Sequence, residues 1–204
     1  MRLPRAASLA ALVMLCLSGP ARAQRAAAPA GQAWTAADVE FFTGMIPHHA
    51  QAVVMSRWAP THGASPALRT LAARIINAQQ DEIRLMQQWL RDHDQPVPDA
   101  SATAMPMMMH GGAHDMLMPG MLTAEQMRQL DQARGPEFDR LFLTFMIQHH
   151  RGALTMVKDL FATEGAAQDR SVFKLASDIN VDQTTEVARM QQMLAGLVFD
   201  PASH

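Results

Sequence analysis

The dipeptide His-His occurs twice in the chain, as His48-His49 and His149-His150, and each time in the same setting. Asp38-x-x-Phe41-x-x-x-Met45-Ile46-x-His48-His49 returns 101 residues later as Asp139-x-x-Phe142-x-x-x-Met146-Ile147-x-His149-His150, and Met55 returns as Met156 at the same offset. A second pattern, Gln79-x-x-Glu82-Ile83-x-x-Met86, returns after 104 residues as Gln183-x-x-Glu186-Val187-x-x-Met190. Wound as a helix, Asp38, Phe41, Met45, His48, His49, Ala52 and Met55 share one stripe about 120° wide. Met146, His149, His150, Ala153 and Met156 form its copy. Gln79, Glu82 and Met86 fall beside Ile75 and Ile83, so polar residues of ligand type sit on stripes that are otherwise apolar. Burying such groups is costly unless something satisfies them.

A metal ion would satisfy them. Imidazole is the commonest metal ligand and thioether sulfur is a soft one. His with Met and no Cys favours copper: imidazole and thioether suit Cu(I), and imidazole with carboxylate suits Cu(II). Zinc fits less well, since it more typically takes Cys or a third His, and Ca²⁺ or Mg²⁺ would want more oxygen ligands. The principal candidate ligands are His48, His49, His149 and His150. Met45, Met55, Met86, Met146, Met156 and Met190 would supplement them, with Glu82 and Glu186. A packing reading competes at every one of these positions. Methionine is an ordinary core filler, Glu82 and Glu186 could form helix ion pairs, and a duplication copies a silent His pair as readily as a working one.

A separate cluster lies between the two repeats. Met105, Met107, Met108, Met109, His110, His114, Met116, Met118 and Met121 put seven Met and two His within 17 residues. The segment is rich in Pro and Gly, and such a loop is hard to bury, so core packing explains it poorly. A flexible thioether cluster that recruits Cu(I) explains it better. Thioethers do not protonate in the biological range, so this capture would outlast His ligands in acid. Compositional drift is the competing account.

The elements that must position these residues are helices. Apolar spacing and capping residues predict helices over 35–57, 66–91, 137–161 and 169–197, with a short one over 123–134. Pro47 should kink the first beside its His pair, where the second repeat has Gln148. Residues 92–122 hold four prolines and three glycines, so they are expected to lack regular structure. No strand-like alternation is seen. The expected architecture is all-α: two repeated helical hairpins, each with an exposed apolar face, packed as one four-helix bundle over 35–198. Repeat one spans 35–91, the Met-rich crossover linker 92–122, the short helix 123–134 and repeat two 136–198, leaving a tail at 199–204.

Residues 1–23 read as a cleavable signal peptide. Arg2 and Arg5 precede an apolar stretch of 12 residues, 6–17, and Ala21-Arg22-Ala23 is a small-x-small cleavage site. That stretch falls short of the roughly 20 residues that span a bilayer. Cleavage after Ala23 would leave a lead-in, 24–34, expected to be disordered. The single Cys16 would be removed, so the mature chain of 181 residues would keep 15 Met and no thiol. Thiolate catalysis and disulfide frameworks are then excluded. The formal charge of −2 argues against nucleic acid. An exported protein of the bacterial periplasm is expected, with no membrane span after processing.

On these residues the chain resembles the DUF305 family. The resemblance rests on Met45-Ile46-Pro47-His48-His49 and Met146-Ile147-x-His149-His150, the two Gln-x-x-Glu patterns, and Glu137-Phe138-Asp139, and it covers about 35–197. It implies an exported, ferritin-like helical bundle, with copper binding and copper tolerance in several members and no established catalytic activity. The leading expectation is a periplasmic protein that binds copper for buffering, tolerance or delivery, with a copper-handling protein as its partner. A ferritin-like metal-dependent oxidase is one alternative. Di-iron bundles carry Glu-x-x-His, whereas Glu40, Glu82 and Glu186 are followed by Phe-Phe-Thr, Ile-Arg-Leu and Val-Ala-Arg. A helical interaction module without metal is another. Ser/His/Asp catalysis has no supporting motif.

Overall fold

Two carboxylates from the duplicated motif tie the repeats together. Asp38 accepts hydrogen bonds from the Thr35 backbone N–H (2.7 Å) and hydroxyl (3.0 Å), and its other oxygen accepts from Ala167 N–H at 2.7 Å. Asp139, its copy, accepts from Ser65 N–H at 3.2 Å. Ser65 and Ala167 lie in the turns of the two helical hairpins, so each motif Asp pins the turn of the opposite repeat. The turns themselves are copies: Gly63 and Gly165 both take positive φ, 73° and 75°, which an L side chain adopts only with strain.

The computed structural model describes residues 33–103, 105–109 and 112–199. The signal peptide and most of the lead-in expected above, His110, and residues 200–204 lie outside these. Helices α1 (Ala36–Trp58) and α2 (Pro66–Asp92) form the first hairpin, and α4 (Gly135–Ala162) and α5 (Arg170–Phe199) the second. A short α3 (Ala124–Gln132) precedes α4. α1 packs along α2, α4 along α5, and α1 against α4, while α3 rests on α1 and α4. Ser65 caps α2 through its side chain, which accepts from Leu68 N–H, and Pro66 occupies the first turn. Pro47 lies inside α1, which runs unbroken from Ala36 to Trp58.

The linker departs from expectation. Met105–Met109 (β1) and Gly112–Met116 (β2) pair antiparallel, with Met105 opposite Met116 and Met109 opposite Gly112. Pro and Gly were read as breakers of regular structure. In a two-stranded ribbon, however, both strands are edges, and an edge strand tolerates a proline such as Pro106.

Two apolar clusters fill the bundle. One joins Phe41, Phe42 and Met45 of α1 to Met86 and Trp89 of α2, Val157 of α4 and Ile179 of α5. The other joins Met55 of α1 to Leu68 and Ile75 of α2, Phe138, Phe142 and Met146 of α4, and Met190 of α5. Each cluster uses opposite ends of α1 and α4, so these helices run antiparallel. The residues in the middle of all four long helices, between the clusters, are polar.

Candidate metal centre

That middle layer holds all four paired histidines. His48, His49, His149 and His150 are fully buried, and Gln79, Glu82 and Gln183 are buried beside them. The duplicated His48 and His149 meet where α1 faces α4, with ring centroids 3.8 Å apart. His49 and His150 turn the other way, each toward the second helix of its own hairpin. His49 Nε2 lies 2.7 Å from Glu82 Oε2, and His150 Nε2 lies 2.6 Å from Glu186 Oε2. Glu82 and Glu186 thus serve as buried or half-buried acceptors, not as surface ion pairs.

These bonds settle which nitrogen carries the proton. A carboxylate and a carbonyl only accept, so Nε2 of His49 and His150 donates to glutamate, and Nε2 of His48 donates to the Pro119 carbonyl at 3.0 Å. In a neutral ring the proton on Nε2 leaves a lone pair on Nδ1. Nδ1 of His48, His49 and His150 is buried without a partner, and so are both ring nitrogens of His149. Gln79 leaves both amide atoms unpaired and Gln183 its carbonyl oxygen. Buried polar groups are nearly always satisfied, and a set of lone pairs at one level of a bundle fits a bound metal ion. A histidine whose other N–H binds a carboxylate is the usual form of a metal-ligating imidazole.

The two facing rings, His48 and His149, are held neutral. Burial, then the neighbouring His49, lower the pKa of His48 to about 3, against the raising effect of its bond to Pro119. Burial and the surrounding His48, His150 and His49 hold His149 well below its ordinary value. Both rings are therefore free bases at neutral pH. Among the described residues, no three His, Cys, Asp or Glu side chains converge as a ready-made cation site. The donor set here is paired imidazoles with thioethers nearby, which suits a soft ion of low coordination number better than Ca²⁺ or Mg²⁺.

The predicted thioethers divide. Met45 and Met86 lie in the first apolar cluster and Met55, Met146 and Met190 in the second, all five fully buried. They flank the imidazole layer from both sides while filling the core. Met156, the copy of Met55, is only partly buried. In the linker, Met105, Met107, Met108, Met109, His114 and Met116 lie on the backbone of the hairpin, apart from the layer in sequence. Met118 and Met121 follow it, where the chain returns to the bundle, and Met121 is buried.

The returning segment supplies a part of the site that the motifs do not contain. Pro119 and Gly120 cross α4 at Gly152, where an added Cβ would run into the Pro119 carbonyl. Gly120 has φ 77°, and a Cβ there would sit 2.6 Å from the Gln148 carbonyl. On α1, the buried Gln51 donates to Leu122 O (3.0 Å) and accepts from Leu122 N–H (2.7 Å). The crossover is thereby strapped over His48. Gln51 and Gly152 occupy equivalent places in the two repeats, so the strap breaks the two-fold likeness of the layer. Their difference was visible as a mismatch between the copies.

Fold and layer together define a duplicated four-helix bundle with a histidine–carboxylate centre at mid-length. The chain belongs to the DUF305 family, whose model, described as "Domain of unknown function (DUF305)", matches residues 38–194. It is similar to a DUF305 protein of Streptomyces coelicolor, 27% identical, over 79% of this chain and 92% of that one, with a TM-score of 0.66. It is also similar to CopM in its Cu(II)-bound form, 33% identical, over 78% of this chain and 96% of that one, with a TM-score of 0.60. A curated relative, an uncharacterized protein of Acanthamoeba polyphaga mimivirus, is 43% identical over 49 residues, or 24% of this chain. The chain spans about a third of that relative's length, 32%. No helix among the described residues is long and apolar enough to cross a membrane.

Proposed function

We propose that this protein binds copper in the bacterial periplasm, holding it for buffering, tolerance or delivery to a copper-handling partner. The observation that carries the reading is the set of buried imidazole lone pairs on His48, His49, His149 and His150, three of them fixed by an Nε2–H bond to glutamate or to a carbonyl. Structures of CopM with Cu(II), Cu(I) and Ag bound support a copper-group ion as cargo. Export is supported by the signal-like residues 1–23, and the Streptomyces coelicolor relative is considered a secreted protein. In this reading the imidazoles are the principal ligands, the flanking Met45, Met55, Met86, Met146 and Met190 supply thioether where an ion sits toward either cluster, and Glu82 and Glu186 orient the outer rings. The methionine-rich hairpin and Met121 recruit Cu(I) from solution.

The test is metal analysis of the purified protein after titration with Cu(I) and, separately, Cu(II). One or more equivalents should be retained, and lost when His48, His49, His149 and His150 are all replaced by Ala. A folded wild-type protein that retains no copper would overturn the reading.

A further inference from the structure

The two halves of the bundle are copies, but they differ at Gly44. Gly44 on α1 corresponds to Phe145 on α4, at the offset of 101 that relates the His pairs. Phe145 is buried and packs in the same cluster as the fully buried Met55. On the other side there is no ring. A Cβ on Gly44 would lie 3.1 Å from Met118 Sδ and 3.4 Å from Met156 Cε. The missing side chain thus admits two thioethers, one from the crossover and one from α4, which meet over the glycine.

They meet in a cleft of about 800 Å³. Its wall includes Phe41 and Gly44 of α1, Met156 of α4, and Met118 with Pro119 of the crossover. Asp159 of α4 lines it as well. Pro119 is also the residue whose carbonyl takes the proton of His48 Nε2. One residue of the crossover therefore separates the thioethers in the cleft from the imidazoles in the core. The thioethers select soft cations.

We propose that Met118 and Met156 form a thioether site for a soft monovalent cation, Cu(I) or Ag(I), at an entrance through which Cu(I) reaches the imidazole layer. The inference rests on the copper reading above and adds a route and a selectivity to it. Met156 differs in role from its buried copy Met55 because Gly44 stands where the second repeat has Phe145. At the corresponding place in the second half stands the buried Phe145.

The test uses the full chain under anaerobic conditions and follows Cu(I) leaving a coloured Cu(I) chelator by stopped-flow absorbance. Met118→Leu with Met156→Leu keeps the apolar volume and removes only sulfur. Cu(I) loading should slow at least tenfold, while the amount bound in the imidazole layer at equilibrium is unchanged. Cu(II) loading, which does not depend on thioether, should stay within twofold; a merely structural role for the pair would slow both ions alike. Gly44→Phe, which copies the second half, should slow Cu(I) in the same way. Cu(I) loading by the double Leu variant at the wild-type rate would overturn the inference and leave the copper reading standing. Equal slowing of Cu(I) and Cu(II) would overturn it too. A wild-type protein that takes up neither ion would overturn both.

Discussion

Gly152→Ala tests whether the crossover is strapped to the bundle as described. The new methyl group would run into the Pro119 carbonyl and lie 2.6 Å from Gly120 Cα, and all of these atoms are backbone. The segment must lift away from α4. Four hydrogen bonds go with it: His48 Nε2 to Pro119 O, Gln148 Nε2 to Gly120 O, and the reciprocal pair between Gln51 and Leu122. At about 1 kcal/mol each, they amount to about 4 kcal/mol. Alanine in a helix gains back about 1 kcal/mol over glycine, so the net loss is about 3 kcal/mol. For a chain of this size that lowers Tm by about 6–12 °C. Gly196→Ala supplies the control. It also lies within a helix, α5, but a Cβ there meets nothing within 4 Å. It should therefore raise Tm by about 2–4 °C. Calorimetry or circular dichroism on the metal-free protein separates the two variants. If Gly152→Ala melts with or above Gly196→Ala, the strap over His48 is not part of the folded state.

Other outcomes follow from the layer itself. Glu82→Ala leaves the His49 N–H without an acceptor and should cost about 1–3 kcal/mol in urea melts. It should also weaken copper binding about 10–100-fold in chelator competition. Glu186→Ala should cost less stability, since its side chain is 19% exposed against 10% for Glu82. The metal-free protein should lose stability in acid through His48 and His149. Their folded pKa values lie below the ordinary 6.5, so the unfolded chain takes up protons that the folded rings refuse. Stability should be flat above about pH 6.5 and fall below it by at most about 1.4 kcal/mol per pH unit per ring. For His48 the fall continues to about pH 3. Urea midpoints between pH 7 and 4.5 measure this, and the slope should shrink in His48→Gln with His149→Gln.

Much of the bundle was legible in residue spacing. The His-His pairs carried their own register, so their meeting on antiparallel α1 and α4 follows from placing two equal hairpins face to face. Glu82 and Glu186 were visible too, because each sits at a fixed distance from its His pair in a copied pattern. The turns were also copied, Gly63-Ala64 and Gly165-Ala166, but two residues are too weak a signal without coordinates. What spacing did not disclose lies where the repeats differ. Gln51 and Gly152 look like unrelated residues until the crossover lies across both of them. Gly44 reads as a helix weakness until Met118 and Met156 fill the place of a phenyl ring. The hairpin at 105–116 was hidden because methionine, proline and glycine carry little strand preference, and its pairing depends on the two strands finding each other. The methionines resisted assignment for a further reason: a buried thioether packs like a hydrocarbon, so Met45 and Met190 look alike as filler and as ligand.

The central claim is that the buried imidazole layer, and not the methionine-rich linker alone, holds the metal. Anomalous diffraction at the copper edge on crystals of the copper-loaded protein tests it directly. A peak within bonding distance of Nδ1 of one or more of His48, His49, His149 and His150, between the two apolar clusters, is the result predicted. Copper confined to the linker or the surface, with those Nδ1 atoms still unpartnered, would contradict it.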